Sequence, residues 1–146
     1  MINELTRLLR GDEGEVLHAY RDHLGYLTIG VGRLIDKRKG GGISTAESAL
    51  LLSNDIAEKE AELDRRLPWW RDLPDARRAV LMAMAFQMGV DGLLSFENTL
   101  AMVKAGDCDG AARGMLASLW ARQTPERAHR MSEQMRTNIW HFKEGT

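Results

Sequence analysis

RGDEGEVLHAYRDHLGYLTIGVGRL, residues 10–34, reads as a helix end, a reversal and a β-hairpin. Upstream, Ile2, Leu5, Leu8 and Leu9 fall near helical spacing, which predicts a short amphipathic helix over residues 3 to about 13. Gly14 stands where a helix end takes a residue at positive φ. Glu13 then lies at the negative pole of the helix dipole, a setting that favours the protonated acid, and partial desolvation of the site would push the same way. Val16 to Tyr20 reads as a strand, and Asp22-His23-Leu24-Gly25 as a tight turn with Asp first and Gly last. Asp22, at an open turn, is expected to stay ionised. Tyr26 to Val31 alternates, with Leu27, Ile29 and Val31 on one face and Tyr26, Thr28 and Gly30 on the other. Gly30 and Gly32 have no side chains to block a ligand lying on that strand.

An acid near a helix end followed by an Asp turn is common, and taken singly Glu13 and Asp22 read as solvated surface charges. Together they are two carboxylates in unlike settings with a hydroxyl, Thr28, beside them. That is the minimum set for acid-catalysed hydrolysis of a glycosidic bond. The Gly-x-Gly at 30–32 is not a dinucleotide fingerprint, because no third Gly and no helix follow at the required spacing.

The ordered string carries more. Asp-Glu-Gly at 12–14, Ala-Tyr-x-Asp at 19–22 and Gly-Tyr-x-Thr-Ile-Gly-x-Gly at 25–32 resemble the T-even phage lysozyme family, glycoside hydrolase family 24. The resemblance continues through Phe86-Gln87-Met88-Gly89, Gly92, Phe96, Asn98 and Leu100, then Trp120, Gln123-Thr124-Pro125 and Arg127, and last Arg136-Thr137 and Trp140. It implies Glu13 as general acid, and Asp22 and Thr28 as the pair that positions and activates water. Leu34, Phe86 and Thr99 match the family's sugar-contacting positions. Three departures stand out. Arg33 replaces the His that often follows the second Gly, so the family's buried His–Asp pair has no His here. Gly114 stands where a family member offers Asn to the glycan. Only DKRKGGGI, residues 36–43, separates the hairpin from the next helix, so the small lobe is expected to be reduced and the cleft more open on that side.

The 146 residues suffice for one domain with a real core, or for two small lobes sharing a helix. A net charge of −1 gives no general attraction to nucleic acid or to an anionic envelope. Residues 113–146 do hold six Lys/Arg against three acids, which suits either an anionic polymer or a solvated helical face. Cys108 is the only cysteine, so no internal disulfide can form, and nothing near it suggests an activating partner. Histidines 18, 23, 129 and 141 make no metal motif, and no metal or organic cofactor is expected. With Met1-Ile2-Asn3-Glu4 at the start no signal peptide is expected, and the longest apolar run, Ala79 to Phe86, is too short to cross a bilayer.

Further on, Lys37 to Gly42 reads as a flexible basic connector. Ser44 to Glu47 has the capping-box pattern and opens a helix that Pro68 stops. Its roughly 22 residues span about 33 Å, which suits a bridge between lobes. Trp69 and Trp70 beside Pro68 read as packing. Asp75 to Met88 is expected to be a helix apolar on every side and centrally buried, ended by Gly89, with Gln87 as its polar exception and a candidate for facing the cleft. Ser95 is expected to cap a helix through Val103, Asp107 or Asp109 to start one through Leu119, and Thr124-Pro125 to start the last, with Met131, Met135 and Ile139 inward.

The expected fold is α+β, mostly α: a two-lobed lysozyme-like single catalytic domain over 1–146. Its parts are a small N-terminal β-hairpin lobe (1–43), a long connecting helix (44–67) and a helical C-terminal lobe (68–146). The resemblance implies an inverting muramidase cutting peptidoglycan between N-acetylmuramic acid and N-acetylglucosamine. It implies an endolysin that is monomeric, binds no nucleic acid and does not insert stably in membranes. Such an enzyme collects in the host cytoplasm until a holin releases it to the periplasmic wall. Two alternatives are a lytic transglycosylase, which needs no water, and an inactive wall-binding phage protein.

Overall fold

A computed structural model describes residues 2–145 of the chain. The fold is the expected mostly helical α+β, with one small antiparallel sheet ahead of the helices. One compact unit runs to Leu52 and a second begins at Ser53.

In the first unit, helix α1 covers Ile2–Glu13 and is closed by Gly14, at φ 75°, whose N–H donates to the Arg10 carbonyl at 3.0 Å. Strands β1 (Val16–Arg21) and β2 (Leu27–Gly30) form the hairpin, with Tyr20 opposite Thr28, Arg21 opposite Leu27 and an irregularity between Val16 and Tyr20. The expected two strands are in fact three. A short β3, Arg33–Leu34, pairs with β2 in the register Thr28 to Leu34 and Ile29 to Arg33.

The loop after β3 differs from the expected flexible connector. The Gly41 N–H donates to Arg38 O at 2.8 Å, and the Gly42 N–H to Leu34 O at 3.0 Å. A β-carbon at Gly41 would lie 2.3 Å from the Asp36 carbonyl oxygen, so this glycine is demanded by a close approach of backbone to backbone. Helix α2, Thr45–Arg66, then opens on the predicted capping box: Ser44 N–H donates to Glu47 Oε1 at 2.9 Å and Glu47 N–H to Ser44 Oγ at 3.1 Å. Arg33, in place of the family's His, finds this same carboxylate: its Nη1 donates to Glu47 Oε1 at 2.8 Å, tying β3 to the first turn of α2. Leu17, Ile29, Val31, Ile35, Ile43 and Leu50 line an apolar hollow of about 620 Å³ beside that pair.

In the second unit Pro68 ends α2, and Pro68–Asp72 forms a single 3₁₀ turn. Trp70 is buried as packing, its indole N–H donating to Asp64 Oδ1 at 2.7 Å. Helix α3 runs Asp75–Leu94, longer than expected: Gly89 (φ 79°, ψ 162°) breaks it, but helix resumes immediately. Ser95 therefore belongs to the end of α3, its hydroxyl donating to Gly92 O, and α4 (Glu97–Ala105) starts at Phe96 without a side-chain cap. Asp107, not Asp109, caps α5 (Cys108–Leu116) by accepting from Gly110 N–H at 2.9 Å. The single helix expected through Leu119 is two, since Ser118 caps a separate α6, Leu119–Gln123. Thr124 precedes α7 (Pro125–Thr137) but does not cap it; its hydroxyl donates backward to Trp120 O at 3.0 Å. Helix α7 ends at left-handed Asn138, which leaves Ile139 outside it and exposed.

The core of this unit is Leu63, Val80, Leu81, Met84, Leu93, Met115 and Met135, with methionine filling gaps between α3, α5 and α7. Arg77 crosses from α3 to donate to the Met135 and Arg136 carbonyls, at 2.8 and 2.9 Å, which satisfies the orphan acceptors of the α7 C-terminus. Among the described residues no single helix is long and apolar enough to cross a membrane.

Two outcomes follow. Leu63→Ala and Leu81→Ala should each cost roughly 2–5 kcal/mol in denaturant unfolding, as cavity-forming core changes do. The Arg33 guanidinium, then the Ser44 N–H and hydroxyl, pull Glu47 from its ordinary 4.5 down to about 2. A lowered folded-state value stabilises above 4.5 and is lost as pH falls toward 2. The stability gap between the wild type and Glu47→Gln should therefore be full at neutral pH and close on acidification across that window, and added salt should narrow it because the pair is half exposed.

Candidate active site

The three residues expected to carry chemistry all lie in the first unit, and backbone geometry places each. Asp22 opens the hairpin turn. Its carboxylate Oδ1 accepts from the N–H groups of Leu24 and Tyr26, both at 2.9 Å, while its carbonyl accepts from Gly25 N–H at 2.9 Å. This is why Asp stands first in the turn: its side chain substitutes for a backbone acceptor. Among the described residues Oδ2 accepts no protein hydrogen bond.

Thr28 is 4 % exposed, in the middle strand. Its hydroxyl donates to the Tyr26 carbonyl at 2.9 Å, and the same carbonyl accepts from Asp22 N–H at 2.9 Å. With its proton committed to Tyr26, the Thr28 oxygen has only lone pairs left to offer. Asp22 and Thr28 are thus joined through one peptide neighbour, Tyr26.

Glu13 closes α1, and its carboxylate lies against the turn between β2 and β3. A β-carbon at Gly32 would come within 2.7 Å of Glu13 Oε2, and Gly32 holds φ 68°, so both space and conformation call for glycine there. Among the described residues the Glu13 carboxylate accepts no protein hydrogen bond, and it is exposed, so the desolvation expected from the sequence is absent here. Leu34, opposite Thr28 in the sheet, is half-buried.

The other expected contacts lie in the second unit. Phe86 is 43 % exposed near the break in α3. Gln87 is exposed, but its amide oxygen is engaged by the Trp120 indole N–H at 2.9 Å, and Trp120 meets Phe96 edge to face. Gln87, Phe96 and Trp120, with Met88, Ser118 and Leu119, line a hollow of about 510 Å³ that Phe86 does not enter. Thr99 is buried, and a β-carbon at Gly114 would fall 2.6 Å from its Oγ1, so the hydroxyl occupies the space that a side chain at 114 would need.

Sequence reasoning missed Tyr26 as the common partner of Asp22 and Thr28, although its place four residues after a turn-opening Asp is a usable signal. It also missed Arg38, which the Gly-rich loop places over the Tyr26 ring at 3.4 Å. Among the described residues no cluster of three or more His, Cys, Asp or Glu is arranged to hold a metal ion.

Comparison with known proteins adds a second line of argument. The phage lysozyme family matches residues 10–133. A probable T4-type lysozyme of Dictyostelium discoideum is 30 % identical over 94 % of this chain and 96 % of its own length. The pre-baseplate central spike protein Gp5 of Enterobacteria phage T4 is 32 % identical over 88 % of this chain, a stretch amounting to 27 % of the spike protein. A peptidoglycan hydrolase, gp36, of Pseudomonas phage phiKMV is 27 % identical over 80 % of this chain and 13 % of its own. Matched across most of its length, and over nearly all of one stand-alone relative, the chain belongs to the phage lysozyme family and is a lysozyme-type glycoside hydrolase.

Proposed function

We propose that this peptidoglycan hydrolase cuts the β-1,4 bond between N-acetylmuramic acid and N-acetylglucosamine with inversion at the sugar carbon attacked. Glu13 protonates the departing glycosidic oxygen. A water donates one hydrogen to Asp22 and the other to Thr28, which leaves an oxygen lone pair directed at the opposite face of the sugar ring. Asp22 takes the proton as the bond to carbon forms. The single observation that carries this reading is the hydrogen-bond set at Tyr26: it ties Asp22 and Thr28 to one residue and leaves one carboxylate oxygen of Asp22 and the lone pairs of Thr28 as acceptors for a water. Leu34, Phe86, Thr99 and Gln87 are assigned to glycan contact on the family match.

A lytic transglycosylase has no use for a water-holding pair, and an inactive wall-binding protein has no use for any of the three groups. For the biological role we assign host lysis: a monomeric endolysin stored in the host cytoplasm and released to the periplasmic wall by a holin. Expression alone should then leave cells intact until the inner membrane is permeabilised.

Release of soluble muropeptides from purified Gram-negative peptidoglycan, with products identified by mass, tests the chemistry. Glu13→Gln should reduce kcat by about 10²–10⁴, the usual contribution of a general acid, with reducing-end muramic products from the wild type. Anhydro products would move the mechanism to transglycosylation, and a folded wild-type protein that binds the wall without cutting it would leave only a binding role. Gly32→Ala should depress kcat by displacing the Glu13 carboxylate and cost about 1–2 kcal/mol from the left-handed backbone.

A further inference from the structure

Tyr26 holds Asp22 and Thr28 through its backbone, and its side chain is itself held. The Arg38 guanidinium lies 3.4 Å from the centroid of the Tyr26 ring, well inside cation–π range. Arg38 is fixed in turn by Asp36. Its Nε donates to Asp36 Oδ2 at 2.7 Å, its backbone N–H donates to Asp36 Oδ1 at 3.1 Å, and its Nη2 pairs with the same carboxylate. The loop that presents it is closed by the Gly41 and Gly42 hydrogen bonds, and at Gly41 its backbone runs too close to Asp36 to admit a β-carbon. Lys37 and Lys39 on either side of it are exposed.

We infer that Arg38 is a positioning residue for the reaction: seated on the Tyr26 ring from a closed loop, it fixes the residue just before β2 whose backbone holds Asp22 and Thr28. The inference rests on the reading of that pair as the water-holding groups. It gives the middle residue of the Lys37-Arg38-Lys39 run a place in the site's framework, with no contact to substrate. It also explains why a loop of three glycines follows: only a tight reversal brings residue 38 back over residue 26.

The test compares Arg38→Ala, Arg38→Lys, Tyr26→Leu and the Arg38→Ala/Tyr26→Leu double variant by muropeptide-release kinetics and amide hydrogen exchange. Arg38→Ala should lower kcat about tenfold with KM unchanged, inside the hundredfold that a misplacement near 1 Å costs. It should also speed exchange at the Leu24 and Tyr26 amides, the two donors to Asp22. Tyr26→Leu should do the same, and the double variant should be no worse than either single one, because the two side chains act as a unit. Arg38→Lys should recover part of the loss by keeping the cation but not the fork to Asp36.

A rise in KM alone, or losses that add in the double variant, overturns the inference by making Arg38 a substrate contact. Unchanged exchange at Leu24 and Tyr26 overturns it as well. So does a lower melting temperature with kcat intact well below it, which marks a structural residue only. Asp22→Asn and Thr28→Val run alongside. Full activity in both removes the catalytic reading and this inference with it, and the exchange data separate that failure from a failure of the Arg38 link.

Discussion

Tyr26 has one backbone donor and one backbone acceptor, and both are used within the site: the N–H on the Asp22 carboxylate, the carbonyl on the Thr28 hydroxyl and the Asp22 N–H. Three hydrogen-bonding groups are thereby related by the geometry of a single residue, which stands immediately before β2. Any local motion that keeps the hairpin intact moves Asp22 and Thr28 together. The three-stranded sheet serves the same end from the other side: Thr28 faces Leu34 across β3, and the β2–β3 turn brings Gly32 beneath Glu13.

The Arg33–Glu47 pair shows how a substituted residue is accommodated. An arginine in place of a histidine needs a carboxylate partner at the end of a longer side chain. The capping box of α2 supplies one that is already oriented by Ser44. One glutamate thus satisfies the helix start and anchors the edge strand of the sheet. The pair remains about half exposed, so it ties β3 to α2 more through hydrogen-bond direction than through net Coulomb energy.

Much of this was legible beforehand, and the reasons differ by element. The α1 end, the Asp22 turn and the capping box are local: the residues that specify them touch one another within a few positions. The misplaced helix boundaries in the second unit share one cause. Ser95, Thr124 and Gly89 carry signals that do not have a fixed meaning: local back-bonds redirect the two hydroxyls, and packing overrides the glycine. Ser95 and Thr124 turned their hydroxyls backward to Gly92 and Trp120 carbonyls, while buried Val90 and Leu93 carried helix past Gly89. In the site, the three chemical residues were legible because their order and spacing are distinctive. Arg38 was not, because Lys-Arg-Lys before three glycines carries no periodicity, and only the loop's path reveals that its middle residue lies over the Tyr26 ring.

The residues that place the acid, the water-holding pair and their supports all fall between Glu13 and Glu47, and most of their contacts span fewer than twenty positions in sequence. Contacts of that kind close at low entropic cost and form early when a chain folds. The geometry on which the chemistry depends is therefore of low contact order. The long-range packing that buries Met84, Met115 and Met135 belongs to the other unit and carries the larger core. The division lets core substitutions change the stability of the second unit while the hydrogen-bonded frame around Tyr26 keeps its own local determinants.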